Sequence, residues 1–172
     1  MNNSHRDMIK VFLEHEHNNL NYQTVTKPDE TLFLEIKLDN IGSIELSVNR
    51  IKQVIQLVND NSEAWPSYQL WEDILPSWFV NFCEPEMSQI DSDKWLAWWR
   101  TLNEVDKRKA EKSKGWSLAD WLYWLEPKNR VWFYGSIKNQ ELEGATFTLF
   151  SIENAPPLGA LGWLIIASQQ AQ

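Results

Sequence analysis

The stretch Trp95 to Trp132, WLAWWRTLNEVDKRKAEKSKGWSLADWLYWLEPKNRVW, contains Trp95, Trp98, Trp99, Trp116, Trp121, Trp124 and Trp132, out of 11 tryptophans in 172 residues. Trp95, Trp98, Trp99 and Leu102 stand at i, i+3, i+4 and i+7, which is one stripe of an α-helix. Asp91, Ser92 and Asp93 precede the stripe, where a side-chain oxygen can take an unpaired first-turn amide and an acid suits the positive end of the helix dipole. Lys107, Arg108, Lys109, Lys112 and Lys114 crowd the far end, where cations are favoured, and Gly115 can close the helix in the left-handed conformation. The spacing therefore predicts one long helix ending at Gly115. A second follows at once. Ser117 and Asp120 form an acidic capping box, with Trp116 placed to staple against Trp121. Leu118, Trp121, Leu122 and Leu125 make its buried stripe, Tyr123 and Trp124 its flank, and Pro127 stops it at Glu126.

Upstream, Ser4 to Leu20 reads as a helix with Met8, Ile9, Phe12 and Leu13 on one face. Leu32, Leu34, Ile36 and Leu38 alternate with Phe33, Glu35 and Lys37, and Ile44, Leu46 and Val48 match them across Asp39 to Gly42. That pattern predicts a β-hairpin, with a further short strand possible at Gln23 to Thr26. Asn49 can cap a helix carrying Ile51, Val54, Ile55 and Val58, and Ser67 one carrying Leu70, Trp71, Ile74 and Leu75. Pro76 either kinks that helix or begins a new one carrying Trp78, Phe79, Phe82 and Cys83 inward.

Downstream, Arg130 to Lys138 and Ala145 to Ile152 alternate as strands. Leu158 to Ser168 is apolar on both faces, which reads as a third strand with both sides covered. The expected class is α+β: an antiparallel sheet, made of an N-terminal hairpin and a C-terminal three-stranded meander, packed against Trp-rich helices in one domain spanning 1–172.

The net charge of −8 and pI near 4.9 argue against a nucleic-acid partner, since phosphate contacts need a basic face. The basic run Lys107 to Lys114 is read as a solvated helix end. Cys83 is the only cysteine, in keeping with a reducing compartment. Met1 to Lys10 lacks the apolar centre of a signal peptide, and the longest apolar run, Leu158 to Ala167, is too short to span a bilayer. A soluble cytoplasmic protein without a membrane partner is expected.

The search for chemistry is mostly negative. No phosphate-cradling glycine loop, metalloprotease helix or nucleophile elbow is present. His15 and His17 sit two apart on a helix and point to nearly opposite sides, so they are read as surface residues that share no metal ion. Cys83 lies on an apolar stripe and reads as an inert thiol. Carboxylates near large aromatics, Asp120, Glu126, Glu72 and Asp73, leave a carboxylate-based hydrolase as the last-ranked reading. No cofactor is expected, and an enzyme less than a binding protein.

Eleven indoles are more than a domain of this size seals completely, so about two or three should line a surface. Two functions follow. The first is binding of a protein partner, in the manner of an acidic immunity or inhibitor protein steered onto a basic target. The second is an aromatic-lined small-molecule pocket with Trp124, Trp132 and Tyr134 between helix and sheet. The candidate site residues are Trp116, Asp120, Trp124, Trp132 and Tyr134; the oligomeric state stays open.

Overall fold

The computed structural model describes residues 3–22, 28, 32–38, 44–140 and 144–170. Its elements are α1 (Asn3–Tyr22), β1 (Leu32–Leu38), α2 (Ile44–Asp60), α3 (Tyr68–Ile74), α4 (Ser77–Val80), α5 (Gln89–Arg100), α6 (Glu104–Ser113), α7 (Leu118–Leu125), β2 (Trp132–Gln140), β3 (Gly144–Ser151) and α8 (Gly159–Gln170). The class is α+β, with Trp-rich helices against one antiparallel sheet of order β1-β3-β2.

Strand alternation sets the two faces of that sheet. Trp132 and Tyr134 of β2 point the same way as Phe147 and Leu149 of β3, into a core shared with α2, α7 and α8. Phe133 and Phe150 point the other way, where Ile9 and Phe12 of α1 cover them, with Phe12 and Phe133 ring centroids 5.0 Å apart. The register slips between Tyr134 and Ser136, leaving Gly135 as a bulge. A Cβ at Gly135 would lie 2.8 Å from the Thr148 carbonyl oxygen, so only glycine fits.

Two predicted strands are helices. Ile44, Leu46 and Val48 open α2, whose buried stripe is Ser47, Ile51, Val54, Ile55 and Val58. Three alternating residues are too few to outvote the helical spacing that continues beyond them, and Leu46 simply faces solvent. Each of the four sealed aliphatics contributes about 1.5–3 kcal/mol relative to an exposed one. The second partner of the predicted hairpin is thus absent, and β1 pairs instead with β3, Leu34 opposite Leu149 and Ile36 opposite Phe147. The predicted turn at Asp39 to Gly42 and the strand at Gln23 to Thr26 lie outside the described residues.

Likewise Leu158 to Ser168 is α8, not the last strand of a meander. A helix that is apolar nearly all round also gives no amphipathic period. Ala160, Leu161, Leu164 and Ala167 are sealed against the core, and α8 packs along α2.

The long helix expected through the first tryptophans is two. It breaks at Thr101 to Asn103, and the Asn103 side chain accepts the amides of Val105 and Asp106 to start α6. Ser88 rather than Asp91 to Asp93 caps α5. Lys114 ends α6 with φ −80°, so Gly115 does not close it in the left-handed region. Asn49 lies inside α2 rather than capping a helix. Pro76 begins α4 after α3 has ended, and Leu70 faces outward from α3. Ser117 caps α7 as read, accepting the Asp120 amide at 3.1 Å, and Glu126 ends it before Pro127.

One polar cluster lies inside the fold. Glu16 and Arg130 are both fully buried and form an ion pair through Arg130 Nη2. The same Glu16 oxygen accepts the Tyr134 amide at 2.7 Å, and the other accepts Asn59 Nδ2 at 2.9 Å. Because β2 is an edge strand, Glu16 closes an otherwise open ladder position and ties α1, α2 and β2 together.

Candidate functional site

Three clefts meet at the segment Lys114–Gly115–Trp116, and local backbone chemistry builds that junction. Ser88 Oγ accepts the Asp91 amide at 3.2 Å and donates to the Asp91 carboxylate at 2.7 Å, which fixes the start of α5. The Glu84 amide donates to the Trp116 carbonyl at 2.9 Å, pinning the chain before α5 to the chain before α7. The Glu84 side chain then crosses Gly115, where an added Cβ would lie 2.2 Å from Glu84 Cγ. Gly115 is therefore required by close approach.

The helices α5 and α6 are joined differently from the rest. No side chain of α5 is fully buried. Trp95 and Trp99 stack with centroids 6.3 Å apart, and cations cover them: Lys114 Nζ lies 4.7 Å from the Trp95 ring and Lys107 Nζ 4.7 Å from the Trp99 ring. Such contacts are worth about 0.5–1 kcal/mol each when exposed. The basic run is thus partly a clamp on indoles rather than only a solvated end.

The first cleft, about 250 Å³, is walled by Trp95, Trp116 and Trp124 and edged by Glu111, Lys114 and Asp120. The second, about 450 Å³, adjoins it and adds Glu84, Glu86 and Met87. The third, about 670 Å³, runs between α6 and α8. Trp98, 50 % exposed, and Tyr123 stand outward beside this region on α5 and α7.

Of the residues singled out from sequence, the structure brings Trp116, Asp120 and Trp124 into one cleft. Trp124 is 36 % exposed. Trp132 and Tyr134 are elsewhere, 1 % and 2 % exposed in the core, with the Tyr134 ring 5.5 Å from Phe147 in an edge-on contact. Burial pushes the Tyr134 phenol up to about 12, a backbone hydrogen bond from Ile137 partly opposing it. Both belong to the strand face packed against α2, α7 and α8, and they line none of these three clefts. Alternation identifies two faces but does not say that helices seal both, α2, α7 and α8 on one and α1 on the other. Sequence reasoning missed Trp95, Glu111 and Lys114 as cleft residues; the Asn103 cap was the available signal, since it places α6 back over α5.

Cys83 is half-buried, and burial raises its thiol to about 11, with the Trp163 indole working against the rise. It remains a protonated thiol at neutral pH. Among the described residues, no three His, Cys, Asp or Glu side chains are grouped so as to hold a metal ion. Between the two histidines, Glu16 is buried, while His15 is half-buried and His17 exposed. No helix among the described residues is long and apolar enough to cross a membrane.

Compared with known protein families, with characterised proteins and with solved structures, the chain matches none.

Proposed function

We propose that this chain is a cytoplasmic protein-binding protein of the immunity or inhibitor kind, which takes a basic partner against the indole-walled cleft. The observation that carries the reading is the gathering of Trp95, Trp116 and Trp124 around one opening edged by Glu111 and Asp120, beside Glu84 and Glu86. Large aromatic side chains with a polar rim are the usual anchors of protein interfaces. The net charge of −8 would speed encounter with a basic target. Lys114 already rests its ammonium on Trp95, so a partner's arginine has an indole face of the same kind to use. The single cysteine agrees with a reducing compartment. At about 250 Å³ the indole cleft is smaller than most small-molecule pockets, which favours a protein side chain as occupant.

Affinity capture from the cells that express the protein tests this reading. The wild type should retain a basic protein, with association slowing as ionic strength rises. Trp124→Ala and Asp120→Lys should each weaken that complex at least about tenfold. Equal retention by all three proteins would contradict the assignment of the cleft.

A further inference from the structure

The groove between α6 and α8 lies on the other side of Trp116 and has a different character. Its floor is a stripe of α8, Gly159, Gly162, Trp163 and Ile166, spaced i, i+3, i+4 and i+7, facing Val105 of α6. Val105 and Ile166 are both exposed. Its lip is cationic, with Arg108, Lys109 and Lys114 against the single acid Glu111, in a molecule whose net charge is −8.

The two glycines answer different needs. A Cβ at Gly159 would lie 2.6 Å from Trp116 Cζ2, so Trp116 occupies that space. A Cβ at Gly162 would meet no atom within 4 Å. Among the described residues nothing uses the missing side chain there, although glycine weakens a helix. A bare backbone between exposed apolar residues lets another backbone come close.

We propose that this groove docks an amphipathic helix of a protein partner, its apolar stripe over Gly162 and its flanking carboxylates against Arg108 and Lys109. A helix fits because two helices bound the groove and its floor repeats at helical spacing. An acidic flank fits because the lip is cationic. Lys109 makes a surface pair with Asp106 at 3.4 Å, both side chains well exposed, which a carboxylate from outside can replace. This groove shares Glu111, Lys114 and Trp116 with the acid-edged cleft, but Arg108, Lys109 and Gly162 lie outside that cleft, so substitutions there test the groove independently of what the cleft binds.

The test uses the full chain and two labelled helical peptides. Both carry leucine at i, i+3, i+4 and i+7; one has glutamates on its flanks and the other lysines. Fluorescence anisotropy should show saturable binding of the glutamate peptide, at least about tenfold tighter than the lysine peptide. General attraction to an acidic protein would give the opposite order. Gly162→Leu should weaken the glutamate peptide at least about tenfold while circular dichroism and Tm show an intact fold. Arg108→Glu with Lys109→Glu should reverse the preference, and Leu70→Ser, which removes an exposed apolar residue from α3, should change nothing. Equal binding of the two peptides, indifference to Gly162→Leu, or saturable binding of dodecanoate with neither peptide bound would overturn the proposal.

Discussion

Glu16 shows how far one side chain can organise its surroundings. Its carboxylate takes Arg130, the Tyr134 amide and Asn59 together, while Arg130 Nε donates to the Trp132 carbonyl at 3.0 Å. Removing one charge strands the other in the core, which costs about 3–5 kcal/mol. Glu16→Gln and Arg130→Met are each expected to lose about that much in urea unfolding. The double variant should lose clearly less than the sum, because neither charge is then left unpaired in the core. Additive losses would show that the two residues act separately. The sequence offered no sign of this pair, since the partners are 114 residues apart and Glu16 reads as one more polar residue beside two histidines.

Burial also sets an alkaline limit. Cys83 rises from an ordinary value near 9 to about 11, and Tyr134 from near 10 to about 12. Both hold their protons more tightly folded than unfolded. Their stabilisation is therefore fully present below pH 9 and is lost as pH rises toward the folded values, on the order of 2 kcal/mol for each group. Urea midpoints measured across this range should fall from pH 9 upward, and Cys83→Ala should delay the start of the fall to near pH 10. A flat profile would mean that neither group is shielded from water.

Among the elements, α7 was readable in detail because three signals agreed: the Ser117 cap, the Leu118-Trp121-Leu122-Leu125 stripe and the Pro127 stop. The elements α2 and α8 were misread in part because their patterns fit two geometries. In α8 the length carried the answer, since an apolar run of this extent exceeds most strands. The α5–α6 pair was misread for a different reason: the indole spacing and the basic run read as one helix, and the Asn103 cap that divides them was passed over. Elements without buried side chains open at low free energy. The amides of α5 should therefore exchange with deuterium well before those of α7, whose Trp121 Nε1 also donates to the Ala160 carbonyl at 2.9 Å. Simultaneous exchange would show that the pair is part of the main cooperative unit. In α8, Gly162→Ala adds a methyl group where no atom lies within 4 Å, so a gain of up to about 1 kcal/mol is expected by thermal unfolding. A loss would place something against that face in the isolated chain.

For the molecule as a whole, the tryptophans divide by what they touch. Trp71, Trp121 and Trp132 are sealed in the core, whereas Trp95, Trp116 and Trp124 surround an opening and Trp98 stands in solvent. The sequence made a surplus of indoles visible, together with a negative charge, and the proposed partner surface rests on both. It could not say which indoles were surplus, because that depends on how α6 folds back over α5 and on helices sealing both faces of β2. Hydroxyl-radical footprinting of the indoles, read by mass spectrometry with and without the captured partner, tests the division most directly. The expected result is rapid oxidation of Trp98 and Trp124 in the unbound protein and little at Trp71, Trp121 and Trp132, with the partner protecting Trp95, Trp116 and Trp124. Oxidation of Trp132 at the rate of Trp124, or a partner that leaves Trp116 and Trp124 as reactive as before, would contradict it.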